Sequence, residues 1–313
     1  MSNYRFMLKE QYGIEATEIT TQQGGWSALA YKVHSNQNYY FLKVYEKSRA
    51  STPKWTALID QYVPIIQWLA HHTDLQRKIP IPILTKNSTY KYEDDSGVYQ
   101  LFAYIEGTTI GQSPLSHVQI RQLAEMVSEL HRHGEEIPMD TDAIKEDFKI
   151  PYLPALKEAL AQDANRTLSD VKELVAPYLE TMQHQIAALE GLSYTLQSSN
   201  MKMRLCHTDI HNWNLMQSND ELILIDWEGL KLAPVEADLM FLVDEPYFDE
   251  FMAGYVKIHS HFTINHDALM FYQLRRKLED IWEFIEQILY DDLPEQDRVE
   301  VLSSIKKELE GIF

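Results

Sequence analysis

From residue 14 to residue 102 the apolar positions fall in short runs rich in β-branched and aromatic residues, at 16–21, 28–34, 39–45, 79–84 and 98–102. Gly24-Gly25, residues 35–38 and residues 94–97 interrupt them with turn formers, so the pattern predicts strands of an antiparallel sheet. One segment has a different period. Between Trp55 and His72 the residues Leu58, Ile59, Tyr62, Ile65, Ile66 and Leu69 recur three and four apart, which marks one face of a helix. After Gly107 helical spacing dominates, at 115–131, 177–189, 267–287 and 295–309. Within this helical region a pair of short apolar runs, 215–217 and 222–225, flanks Ser218-Asn219-Asp220-Glu221, a sequence suited to a hairpin turn. The expected class is α+β: an N-terminal antiparallel sheet with one helix, then a mainly helical C-terminal region. The stretch 102–111 is the candidate hinge, dividing the chain into residues 1–103 and 104–313.

The chain has 313 residues, enough for about two domains or lobes. Its formal charge of -19 disfavours surfaces that neutralise a nucleic acid or sit on an anionic membrane, and suits a cationic small-molecule partner. The single cysteine, Cys206, excludes an intrachain disulfide and fits a reducing compartment. The first residues lack the apolar core of a secretory signal, and no apolar run reaches the length of a membrane span. A cytoplasmic location is expected.

The chemistry concentrates in Cys206-His207-Thr208-Asp209-Ile210-His211-Asn212-Trp213-Asn214 and, twelve residues on, in Ile225-Asp226-Trp227. Asp209 and Asn214 bracket a loop, and the hairpin between Asn214 and Asp226 folds the second carboxylate back beside them. One carboxylate to take a proton from a hydroxyl, with an amide and a second carboxylate to hold Mg²⁺, is the equipment of metal-assisted phosphoryl transfer. His207 and His211 are expected to shape the loop by hydrogen bonding. Lys43 stands inside an otherwise apolar strand, which is costly unless an anion pairs with it. Gly24 and Gly25 lie between two strands, where backbone amides can drape over phosphates.

His207 to Asn214 resembles the H-x-D-x-H-x-x-N signature of aminoglycoside phosphotransferases, choline kinases and their relatives, and Ile225-Asp226-Trp227-Glu228 resembles their I-D-W-[DE] segment. The resemblance implies a bilobal, protein-kinase-like fold and ATP-dependent transfer to an alcohol group. It assigns Asp209 as the catalytic base, Asn214 and Asp226 as Mg²⁺ ligands, and Lys43 to the α- and β-phosphates. Relatives clamp that lysine with a glutamate on the following helix. This helix carries none, and Asp60 is the candidate at the matching place. Gln100 to Gly107 resembles the family's hinge segment, in which backbone groups at Ala103 and Ile105 pair with adenine.

Residues 230–241 and 275–281 are similar to the C-terminal half of spectinomycin phosphotransferases, and the likeness extends from Gly24 to about Ile288. With the acidic balance, this points to an aminoglycoside- or spectinomycin-like cationic acceptor, for which Glu228 and Asp280 are the candidate contacts. Two alternatives stand beside it: a kinase of a metabolite such as choline, homoserine or methylthioribose, and a catalytically silent binding module. Asp238 is expected to brace the catalytic loop.

Overall fold

A computed structural model describes residues 2–22, 27–36, 38–161 and 169–312. Contacts divide the chain into two compact units. The first comprises Met1–Lys47, Thr52–Lys145 and Met203–Thr263, and the second Ser48–Ser51, Glu146–Lys202 and Ile264–Phe313. This partition cuts the chain differently from the lobe boundary expected after residue 103. Gly24 and Gly25 lie outside the described residues.

The first unit opens with helix α1 (Ser2–Met7), which passes into a π-helical turn at Leu8–Tyr12. Strands β1 (Glu18–Gln22), β2 (Leu29–Ser35), β3 (Asn38–Glu46), β4 (Tyr92–Glu93) and β5 (Gly97–Ala103) form one antiparallel sheet in the order β1-β2-β3-β5-β4. Side chains alternate across a strand, so β3 divides its residues between two faces. Leu42 and Val44 join Tyr99 and Leu101 of β5 in a core closed by Met7 and Leu8. Lys43 and Tyr45 therefore point the other way, and in the register of β3 with β5 Lys43 stands opposite Gln100.

The segment 79–84, expected as a strand, makes only a bridge between Pro82 and Phe102 and one bond from Ile83 N–H to Leu101 O at 2.6 Å. Pro80 and Pro82 have no N–H to give to a ladder. The expected helix 55–72 is two pieces, α2 (Thr52–Thr56) and α3 (Ile59–His72). Its apolar face is as read from the spacing, with Ile59, Tyr62, Ile65, Ile66 and Leu69 buried.

Strand β6 (Thr108–Thr109) pairs with β8 (Leu215–Ser218), which forms the expected hairpin with β9 (Glu221–Leu224). Between β6 and β8 in sequence, α4 (His117–Leu130) begins at a capping box formed by Ser116 and Gln119 and buries Ile120, Leu123, Val127 and Leu130. Strand β7 (Arg204–Cys206) pairs antiparallel with β10 (Lys231–Ala233), and helices α8 (Glu236–Leu239) and α9 (Phe248–Tyr255) follow. The unit thus carries both chemical motifs on loops fixed at each end by strand pairing.

The second unit is helical. Helices α5 (Leu153–Leu160), α6 (Ser169–Val175), α7 (Leu179–Gln197), α10 (His266–Tyr290) and α11 (Glu295–Glu310) bury stripes such as Met182, Ile186 and Leu189 or Leu278, Ile281 and Ile285. Asn265 caps α10 through Ala268 N–H at 3.0 Å. A buried ion pair joins Arg275 Nη1 to Glu146 Oε2 at 2.9 Å, with Glu146 also accepting from Phe148 N–H at 2.8 Å. Among the described residues no helix is long and apolar enough to cross a membrane.

Candidate active site

Two loops carry the site. The first runs from β7 through His207, Thr208 and Asp209 to a short turn at Asn212–Asn214 and into β8. The second leaves β9 at Ile225, passes Asp226 and a turn at Trp227–Gly229, and enters β10. The hairpin β8-β9 ties one pair of loop ends and the ladder β7-β10 the other, so the loops lie side by side. Ile225 N–H donates to Asn214 O at 2.9 Å, and His207 Nε2–H donates to Ile225 O at 2.9 Å.

Within the first loop Asn214 Nδ2 donates to Asp209 Oδ2 at 2.8 Å and to Asp209 O at 2.9 Å. His211 Nε2 lies 3.3 Å from Asp209 Oδ1. Asp209 is thus held from two sides while 28% of its side chain stays open to solvent. With the amide nitrogen of Asn214 committed to Asp209, the amide oxygen is the atom it can offer to a cation.

The loop is braced from behind. His207 N–H and Thr208 N–H donate to the two oxygens of Asp238, at 3.1 and 2.5 Å. His131, at the end of α4, donates from Nε2 to Asp238 Oδ2 at 2.9 Å and accepts from the Tyr255 hydroxyl at Nδ1, 2.8 Å. Asp238 and His131 are buried. Thr208 adopts φ +68°, and its hydroxyl donates to Gly229 O at 2.8 Å. The two loops approach so closely there that a Cβ on Gly229 would stand 2.6 Å from Thr208 Oγ1 and 3.0 Å from His207 O.

On the second loop Asp226 sits at φ +64°, a conformation a non-glycine residue keeps only where its surroundings fix it. Its Oδ1 accepts from Lys43 Nζ at 3.0 Å. Glu228 Oε1 also accepts from Lys43 Nζ, and from the Tyr45 hydroxyl. The lysine inside the apolar strand thus has its anions. Burial pulls the Lys43 ammonium down, but Asp226 and Glu228 outweigh it and hold Lys43 above the usual lysine range. Burial pushes the Glu228 carboxyl up, whereas Lys43 and the Tyr45 hydroxyl hold it below its ordinary value. Burial and the Glu228 charge raise the hydroxyls of Tyr45 and Tyr62 well above theirs.

The structure brings together Asp209, Asn214, Asp226, Lys43 and Glu228. It places Asp60 elsewhere: its half-exposed carboxylate faces Lys91 Nζ at 3.3 Å and not Lys43. Glu228, expected against the acceptor, is buried on Lys43 with 8% of its side chain exposed. Asp280 belongs to the second unit, where Arg276 Nε pairs with it at 2.8 Å, one helical turn away on α10. Ala103 closes β5 opposite Tyr40, and Ile105 follows two residues later. Sequence reading missed Tyr45. The signal was its two-residue spacing from Lys43, which puts both on one face of β3.

The family model described as the phosphotransferase enzyme family (APH) matches residues 18–272, a span that includes both loops and the lysine strand. The chain belongs to this family. It is a phosphotransferase, and its fold is that of the protein-kinase-like relatives. Spectinomycin phosphotransferase in complex with ADP and spectinomycin superposes with a TM-score of 0.77 over 100% of this chain and 97% of that one, at 23% identity. The microcompartment-associated aminopropanol kinase gives 0.63 over 98% and 95%, at 10% identity. Choline kinase from Streptococcus pneumoniae gives 0.60 over 99% and 98%, at 14% identity. No curated protein matches the chain in sequence.

Proposed function

We propose that this phosphotransferase moves the γ-phosphoryl group of ATP to a hydroxyl of a small cationic compound of the aminoglycoside or spectinomycin kind, in the cytoplasm. The observation that carries the reading is the pair of adjacent loops in which Asn214 orients Asp209 at 2.8 Å and Asp226 receives Lys43 at 3.0 Å. In this reading residues 1–103 bind the nucleotide and residues 104–313 carry catalysis and the acceptor.

Asp209, partly open and held from both sides, aligns the acceptor hydroxyl and takes its proton as the new O–P bond forms and ADP departs. Lys43 steadies the α- and β-phosphates, and the backbone at Ala103 and Ile105 meets the adenine. Oxygen donors from Asn214 and Asp226 suit a hard cation, and these two residues would hold Mg²⁺. Bound there, Mg²⁺ supplies charge neutralisation at the phosphate oxygens. The net charge of -19 favours an acceptor bearing ammonium groups.

A metabolite acceptor is the second reading, favoured by the fold shared with proteins named for choline and aminopropanol. ADP release with MgATP decides between them, measured over spectinomycin, aminoglycosides, choline, aminopropanol, homoserine and methylthioribose beside Asp209→Asn. Turnover of one antibiotic that the variant loses by roughly three orders of magnitude supports the proposal. Turnover confined to a metabolite moves the assignment to that class. Nucleotide binding without turnover of any acceptor supports a silent module.

A further inference from the structure

A lysine that is to hold phosphates needs a fixed carboxylate to hold the lysine. On α3 the sequence Ile59–His72 contains one acidic residue, Asp60, and that carboxylate is turned to Lys91 with half its surface in water. Lys43 instead lies between Asp226 and Glu228, which differ in a telling way. Asp226 is 34% exposed and is the residue suited to bind a cation, whereas Glu228 is 8% exposed and touches Lys43 on one side and Tyr45 on the other. Were Asp226 to hold a cation, Glu228 would remain as the partner of Lys43.

We infer that Glu228, held in place by the Tyr45 hydroxyl, is the residue that positions Lys43 for the nucleotide phosphates, in place of a carboxylate from α3. This rests on the phosphoryl-transfer reading and deepens it. Lys43 and Tyr45 are two apart on β3 and share a face, so one carboxylate oxygen reaches both. Glu228 follows Asp226 by two residues on the turn fixed by the left-handed backbone of Asp226 and by the close approach of Gly229 to Thr208. The lysine clamp and the cation-binding carboxylate therefore ride on one turn. The placement of Lys43 therefore follows that turn.

The test is calorimetric binding of ADP and of adenosine to the full chain, comparing wild type with Glu228→Gln, Tyr45→Phe and Asp60→Asn. Adenosine lacks the phosphates that Lys43 holds, so a defect of folding weakens both ligands and a defect of lysine placement weakens ADP alone. A charge-assisted bond is worth about 1.5–3 kcal/mol, so Glu228→Gln is expected to weaken ADP roughly tenfold or more. Adenosine should stay within about twofold. Tyr45→Phe, which keeps the packing and removes one hydroxyl, is expected to cost ADP about threefold, and it carries the test if Glu228→Gln does not fold. Equal losses for both ligands, unchanged ADP binding, or a larger ADP loss in Asp60→Asn overturn the inference while wild-type binding keeps the nucleotide reading intact. Failure of the wild type to bind ADP overturns both.

Discussion

Asp238 holds the backbone of Thr208 by a 2.5 Å hydrogen bond, at the residue where the chain turns to φ +68° immediately before Asp209. The same carboxylate takes His207 N–H and the imidazole of His131, all in a buried setting. A left-handed threonine costs backbone energy, and this carboxylate is what offsets it.

Asp238→Ala strands two amide donors and a histidine without water to replace their acceptor. Breaking a buried polar network of this kind costs about 3–5 kcal/mol. Urea denaturation should show that loss, and kcat should fall by more than KM rises, since the loop that presents Asp209 loosens. Asp238→Asn is expected to lie between the two, because its amide keeps one acceptor oxygen. A variant as stable and active as wild type would remove Asp238 from this role.

Gly229→Ala tests the contact between the two loops. A Cβ 2.6 Å from Thr208 Oγ1 and 3.0 Å from His207 O forces one loop away from the other. Overpacking of this sort costs about 1–3 kcal/mol. The expected result is a small drop in Tm with a fall in kcat of about tenfold or more, because the displaced atoms adjoin Asp209. Thr208→Ser combined with Gly229→Ala should not recover activity, since the clashing hydroxyl remains, whereas Thr208→Ala should recover some of it.

The catalytic loop was legible because its polar residues are close in sequence: Asp209 and Asn214 bond across a short turn, and only one hairpin separates them from Asp226. The partner of Lys43 was not. Glu228 lies 185 residues from Lys43, and its neighbour Asp226 drew attention as a cation ligand, so Glu228 read as a group facing the acceptor. Only the register of β3 and the tight turn at Trp227–Gly229 bring them together. The antiparallel sheet followed from short β-branched and aromatic runs broken by turn formers, but the run at 79–84 looked equally strand-like until its two prolines were counted as missing donors. Helix α1 and the π-helical turn were invisible because their burial depends on a sheet face formed later in the chain.

Dependence on a divalent cation is the next expectation. Asp226→Asn keeps the shape of the loop and leaves Lys43 with Glu228, so the fold should survive. With one of two protein oxygen donors neutralised, the Mg²⁺ concentration giving half-maximal ADP release should rise by about tenfold or more, and chelation should abolish activity in both forms. If the Mg²⁺ requirement is unmoved while ADP binding weakens, Asp226 serves Lys43 alone.

The last expectation concerns Asp280. Burial holds its carboxyl up to about 6, with Arg276 pulling the other way. The folded protein therefore retains this proton to a higher pH than the unfolded chain. The associated stability is complete below about pH 4, where both forms are protonated, and is lost as pH rises through about 6. Asp280→Asn should accordingly be more stable than wild type at pH 7–8, by about 3 kcal/mol, and equal to it well below pH 4. An acceptor ammonium placed beside Asp280 favours the ionised carboxyl, so binding at pH 6 should release about half a proton, and at pH 8 none. Calorimetry of acceptor binding in two buffers of different ionisation enthalpy reads that release directly. Release at pH 6 that disappears in Asp280→Asn puts the acceptor's cation against this residue, while no release in either protein separates Asp280 from acceptor recognition and leaves it a half-buried partner of Arg276.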